Sequence, residues 1–228
     1  MNLNMEAVVS SKNLIGWLLI LGPLTVFIFG ALLDGILIGE GATPTDAVTE
    51  MTAKQGLKHW LTVLGSLGFV FAFIGTVLLC DSMQGDNKPG RVFARIGMII
   101  FTALIALAMA ASMTDLASLA AIQKDVTEST SAAMWVEHAV TIHLVGQTLW
   151  SGLLFFWGIG FVMVGIALIM QKKLHIVVDW IFVVFGALFV ILTVTPLALA
   201  QSIGFVVFGI MVLNTVAAGV FQLRADES

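Results

Sequence analysis

The chain has 228 residues, of which 59% are hydrophobic and only 11% charged, and its mean hydropathy is +1.06. So little charge cannot cover a water-soluble surface, so composition specifies a polytopic membrane protein even though the length alone would suit one or two soluble domains. The formal net charge of −4 comes without a basic tract, which excludes a nucleic-acid partner, and the lone Cys80 excludes an intramolecular disulfide or a cysteine-rich metal site.

About 20 apolar residues cross ~30 Å of hydrocarbon as a helix, and a helix keeps every backbone group paired there. Six segments meet that length: 14–38, 57–80, 92–113, 136–170, 176–194 and 199–222. The first follows a single basic residue, Lys12, with no small-residue cleavage site behind it, and reads as a retained anchor. It holds Pro23, which can break the helix, and Asp34 about one turn from its far end. The connection GEGATPTDAVTEMTAKQG follows, in which Thr45 or Asp46 is expected to cap a short surface helix ending at Gly56. The second segment opens with His59, and Thr62 and Ser66 come after it at helical spacing. It is joined to the third by DSMQGDNKPGR, a short turn.

The third segment ends near Ser112 and Asp115. Its continuation, TDLASLAAIQ, is expected to carry the helix out of the membrane or lay it along the interface before the polar patch KDVTESTS. The fourth is longer than a bilayer requires and opens with Glu137, His138 and His143. A basic loop, Lys172 and Lys173, precedes the fifth, which starts with His175 and Asp179. Pro196 sets a tight turn before the sixth, where Asn214 is expected to make an interhelical hydrogen bond. Gly65, Gly68, Gly152, Gly158, Gly160 and Gly165 mark faces where helices approach closely. The chain has no tyrosine, so its six tryptophans are left as interfacial anchors.

Seven of the ten basic residues (Lys12, Lys88, Arg91, Arg95, Lys172, Lys173 and Arg224) fall at the two termini and the even-numbered loops. That bias puts both termini in the cytoplasm, which agrees with an even number of spans. On that side Asp179 is expected to pair locally with His175, Lys172 and Lys173, and Asp81 with Arg91 and Arg95.

On the other side Asp34, His59, Asp115 and His143 form a polar layer that asks for a function, because charge at membrane depth costs at least ~2–3 kcal/mol. At about 100° per residue, His143, Gln147 and Ser151 share a face, whereas His138 points away from it. Three arrangements fit the layer. His59, His143 and Asp34, helped by Asp115 or Glu137, form a candidate site for zinc, copper or non-haem iron. His59 and His143 form a candidate axial pair for a haem b. An Asp–His or Asp–Lys hydrogen-bond network can instead close a bundle around a small or lipid-like ligand. Ser-His-Asp and phosphate-loop patterns are missing, and broken helices or paired repeats, the marks of a transporter, amount to Pro23 alone.

The segments GWLLILGPLTVFIFGALLDGILIG, LKHWLTVLGSLGFVFAFIGTVLL and above all GLLFFWGIGFVMVGIALI resemble a family of small six-helix bacterial membrane proteins of unknown function. The resemblance implies the six-helix layout and no activity, cofactor or site residue. A longer polar third loop and the lack of tyrosine depart from the family pattern.

The expectation is thus a single all-α domain over residues 1–228, a six-helix integral membrane bundle spanning the plasma (inner) membrane. Its expected role is non-catalytic, as an accessory subunit of a larger membrane complex or homo-oligomer, or as a binder of a hydrophobic or lipid-like ligand with lipids bound around it. A haem- or metal-dependent redox protein is the alternative, and a small-solute transporter the third reading.

Overall fold

Each long apolar stretch becomes a helix, the form that pairs its backbone groups within the segment. The computed structural model describes residues 2–39, 41–127, 132–195 and 197–224. Their elements are α1 (Asn2–Thr25), a π-helical segment (Val26–Leu33), α2 (Asp34–Leu37), α3 (Pro44–Ala53), α4 (Gln55–Asp81), α5 (Arg91–Thr127), α6 (Ala132–Gln171), α7 (Ile176–Thr193) and α8 (Leu197–Arg224). Six spans are long and apolar enough to cross a membrane, the first being α1, the π segment and α2 taken together. The turn expected at Pro196 and the side chains of the patch 124–131 lie outside the described residues.

Local chemistry explains two departures from the expected boundaries. The surface helix α3 is capped by Thr43, not by Thr45 or Asp46. Thr43 Oγ1 accepts from Asp46 N at 3.2 Å, Asp46 Oδ2 accepts from Thr43 N at 3.1 Å, and Pro44 fills the first helical position. The first span changes from α to π geometry three residues after Pro23. That ring lacks the N–H that would bond the carbonyl four residues back, and it crowds that carbonyl too. The TDLASLAAIQ stretch simply continues α5, which runs for 37 residues.

The spans form a closed ring. Each packs on its neighbour in sequence, α1 on α4, α4 on α5, α5 on α6, α6 on α7 and α7 on α8, and α8 returns to α1. Glycine lets three of these seams close. A Cβ at Gly22 would stand 2.3 Å from Ala72 N, one at Gly158 would stand 2.6 Å from Gly186 O, and one at Gly219 would stand 2.7 Å from Gly16 O. Gly152 departs from the expected pattern, because a Cβ there would meet nothing within 4 Å.

Large aromatics fill the centre of the ring. Trp157 stacks on Phe189 at 5.9 Å and meets Phe73 edge-on at 5.3 Å, and Phe161 stacks on Phe182 at 5.0 Å. Trp157 is therefore a core residue and not an interfacial anchor, while Trp17, Trp60 and Trp180 are exposed. Asn214 Nδ2 donates to Val178 O at 3.0 Å, the expected bond between α8 and α7. At the end away from the termini, Val48 and Met51 of α3 join Ile38, Leu61, Leu119 and Ala139 in a second small core that covers the α4–α6 side.

Candidate functional site

The polar layer centres on a residue the sequence reading did not single out. Lys58, in the first turn of α4, points into the ring with only 8% of its side chain exposed. Its Nζ donates to Asp34 Oδ2 at 2.9 Å and Oδ1 at 3.1 Å, and lies 3.2 Å from Asp115 Oδ2. An ammonium has three hydrogens, and three carboxylate oxygens surround this one. The residue that follows the π segment and the part of α5 just after Ser112 supply the two carboxylates, so the ion triad ties three spans together. A buried cation is tolerable only with such partners.

A second link extends the triad to α6. His143 Nδ1 lies 4.0 Å from Asp115 Oδ1, and Gln147 Nε2 lies 3.1 Å from His143 Nε2. With the amide donating, the ring hydrogen sits on Nδ1, facing Asp115. His138, one turn and more away, is exposed and edge-on to Trp135. Behind Lys58, Lys54 Nζ donates to Leu37 O and also reaches Ile38 O at 3.4 Å, so it covers carbonyls that the end of the first span leaves open.

Below the triad is a cavity of about 920 Å³ with mostly apolar walls, to which all six spans contribute. Asp34, Lys58 and Asp115 stand at its polar end, and Phe69, Trp157, Phe189 and Phe208 lie deeper. Thr62, Ser66, Ser112 and Ser151 supply hydroxyls along the walls. Ser66 and Ser112 bond carbonyls of their own helices, whereas Thr62 Oγ1 is buried with no partner. α8 packs closely on α1, and it meets the π segment through Phe27, whose ring centroid lies 6.0 Å from that of Phe205 and 6.2 Å from that of Phe208. Beyond that contact, Ile36 of α2 and Phe205 of α8 both line the cavity and are both exposed, at 68% and 51%, so the cavity reaches the surface between α2 and α8.

The metal and haem arrangements do not assemble. His59 is exposed and edge-on to its own neighbour Trp60, while the adjacent Lys58 takes the inward position beside Asp34. Among the described residues no group of three or more His, Cys, Asp or Glu side chains is placed to hold a metal ion. His59, His143 and Asp34 are thus not gathered as a ligand set, and of the two histidines offered as an axial pair His59 is exposed while His143 lies beside Asp115.

At the opposite end two expected ion pairs are replaced. Asp179 is fully buried and neither of its oxygens has a hydrogen-bond partner, so it does not pair with His175, Lys172 or Lys173. His175 instead caps α7, its Nδ1 accepting from Val177 N at 3.3 Å, and its ring stacks on Phe221. Arg91 pairs with Asp86 at 2.9 Å rather than with Asp81, and Arg95 is exposed. In the loop between α6 and α7, Lys173 donates to Ser82 Oγ. Burial, with Lys88 and Lys12 nearby, pushes the Lys173 ammonium down to about 8.

No known family, curated protein or solved structure matches the chain, so the family resemblance finds no counterpart and the site rests on its own geometry.

Proposed function

We propose that the protein is a non-catalytic membrane binder of a small amphiphile, taken up from the lipid phase through the opening between α2 and α8. In this reading the triad receives the ligand's head and the aromatic-floored cavity its body. The observation that carries it is the cavity itself. At about 920 Å³ it falls within the ~300–1,000 Å³ typical of small-molecule sites. It pairs apolar walls with a few convergent polar groups, the usual composition of such sites. Its side opening faces where lipid would lie, not the end covered by α3. The accessory-subunit reading draws on no comparable feature. The bias of basic residues toward the terminal end supports a plasma-membrane orientation with both termini cytoplasmic and the triad near the outer leaflet.

The test uses a variant in which Trp157 is the only tryptophan, reconstituted in phosphatidylcholine vesicles. Trp157 is 5% exposed and lines the cavity, so a bromine-tagged amphiphile reaches it only from within. Saturable quenching is expected. Gly35→Leu with Gly204→Phe, at two cavity-lining positions where an added Cβ meets nothing within 4 Å, should fill the opening without adding a second fluorophore and abolish the quenching. Quenching that is absent, or that persists in the filled variant, would overturn the reading.

A further inference from the structure

Resting on that reading, we infer that the amphiphile taken by this site carries a positively charged head. The cavity's polar end contains one cation and two carboxylates. The cation has no capacity left, because Asp34 Oδ1, Asp34 Oδ2 and Asp115 Oδ2 lie 2.9 to 3.2 Å from Nζ and account for the three hydrogens of Lys58. An anionic head arriving here would have to displace a carboxylate from Lys58 and would still face the other.

The carboxylates are differently placed. Each oxygen has lone pairs beyond the one directed at Lys58, and Asp34 is the most open member, with 27% of its side chain exposed against 8% for Lys58. With all three groups ionised the triad holds one negative charge in excess. Lys54, one turn before Lys58 in the chain, is turned to the carbonyls of Leu37 and Ile38. His143 stands on the far side of Asp115, away from Asp34, and does not line the cavity. No other Lys or Arg lines the cavity among the described residues.

The walls agree with this polarity. Phe69, Trp150 and Trp157 present aromatic rings below the carboxylates, and ring faces attract cations where water is excluded. An alkylammonium therefore meets a carboxylate, an aromatic wall and an apolar cleft in that order. An alkyl sulfate of the same length meets only the cleft.

The experiment ranks three ligands of one chain length, dodecyltrimethylammonium, dodecanol and dodecyl sulfate, by competition with the bromine-tagged probe on the vesicle-bound protein. The ammonium compound is expected to compete at least about tenfold better than either of the others. In Asp115→Asn and Asp34→Asn, each of which removes the excess charge, that preference should fall to within about twofold. The inference is overturned if the alcohol or the sulfate competes as well as the ammonium in the unmodified protein, a ranking that does not depend on any variant folding. It is also overturned if both Asn variants fold and keep the full preference. Failure of every ligand and of the probe to bind would instead strike the amphiphile-binding reading itself.

Discussion

Lys58 shows how a single side chain can organise an end of a bundle. In sequence it stands in the first turn of an apolar helix, where a lysine ordinarily runs its stem along the helix and its head into water. The adjacent His59 is chemically more conspicuous and drew attention to the wrong face. The signal was nevertheless present. Lys58, Thr62 and Ser66 recur every four residues and all line the cavity, whereas His59 does not. Removing one partner of a buried ion cluster typically costs ~3–5 kcal/mol. Lys58→Ala should therefore lower stability by about that amount, since Asp34 and Asp115 would face each other unpaired. Adding Asp115→Asn should recover part of the loss. Strictly additive losses in detergent unfolding would show that the residues are not coupled.

The other residue with a measurable signature is Lys173. Its folded value of about 8 lies below its ordinary 10.5, because burial and two neighbouring lysines disfavour the charged form. Between those values the unfolded chain holds a proton that the folded chain has released. Stability therefore rises with pH across that window, and below it the fold bears the full cost of the buried charge. On reductive methylation with a carbon-13 label, one lysine resonance should titrate near pH 8 and vanish in Lys173→Arg. Titration of every lysine near 10 would refute it.

At the scale of elements, all six spans were legible because length and hydropathy fix them independently of any partner. The π segment was not. VFIFGALL has no polar position that could mark the period of an α or a π turn, and Pro23 indicated a disturbance without its form. The glycines illustrate the same limit. Composition identified them as packing residues, yet only the neighbouring helix decides which are needed. A Cβ on Gly68 would stand 2.7 Å from Val26 N, a backbone atom that cannot swing aside, while Gly152 is open. Gly68→Ala should cost about 1–3 kcal/mol through forced separation of the first span from α4 where α1 passes into the π segment. Gly152→Ala should be neutral or stabilising by up to ~1 kcal/mol, since alanine loses less backbone freedom in a helix. Equal effects on thermal unfolding would contradict this seam assignment.

The molecule as a whole separates its charge. One end carries the termini with Lys12, Lys88, Arg91, Lys172, Lys173 and Arg224, and the other carries the Asp34–Lys58–Asp115 cluster. Single cysteines placed at Thr45 and at Asp86, both exposed, should distinguish the two ends in sealed cells, because native Cys80 is fully buried and is silent toward a membrane-impermeant thiol reagent. Labelling at Thr45 and protection at Asp86 is the expected outcome, and the reverse would invert the proposed orientation. The expected Asp179 ion pairs failed for a reason visible only at this scale. Sequence neighbours on a helix compete with whatever the ring puts against that face, and here α7 turns Asp179 inward while His175 stays at the surface.

The closure of α8 on α1 also imposes an order in time. During synthesis α1 emerges well before α8, yet the partner for its Gly16 face is α8, made after the four spans between them. Until then α1 holds only its seam with α4, and the wall that α8 contributes to the cavity does not exist. The chamber beneath the ion cluster is therefore finished by α8, so a nascent chain that still lacks α8 has its charged lid before it has a container.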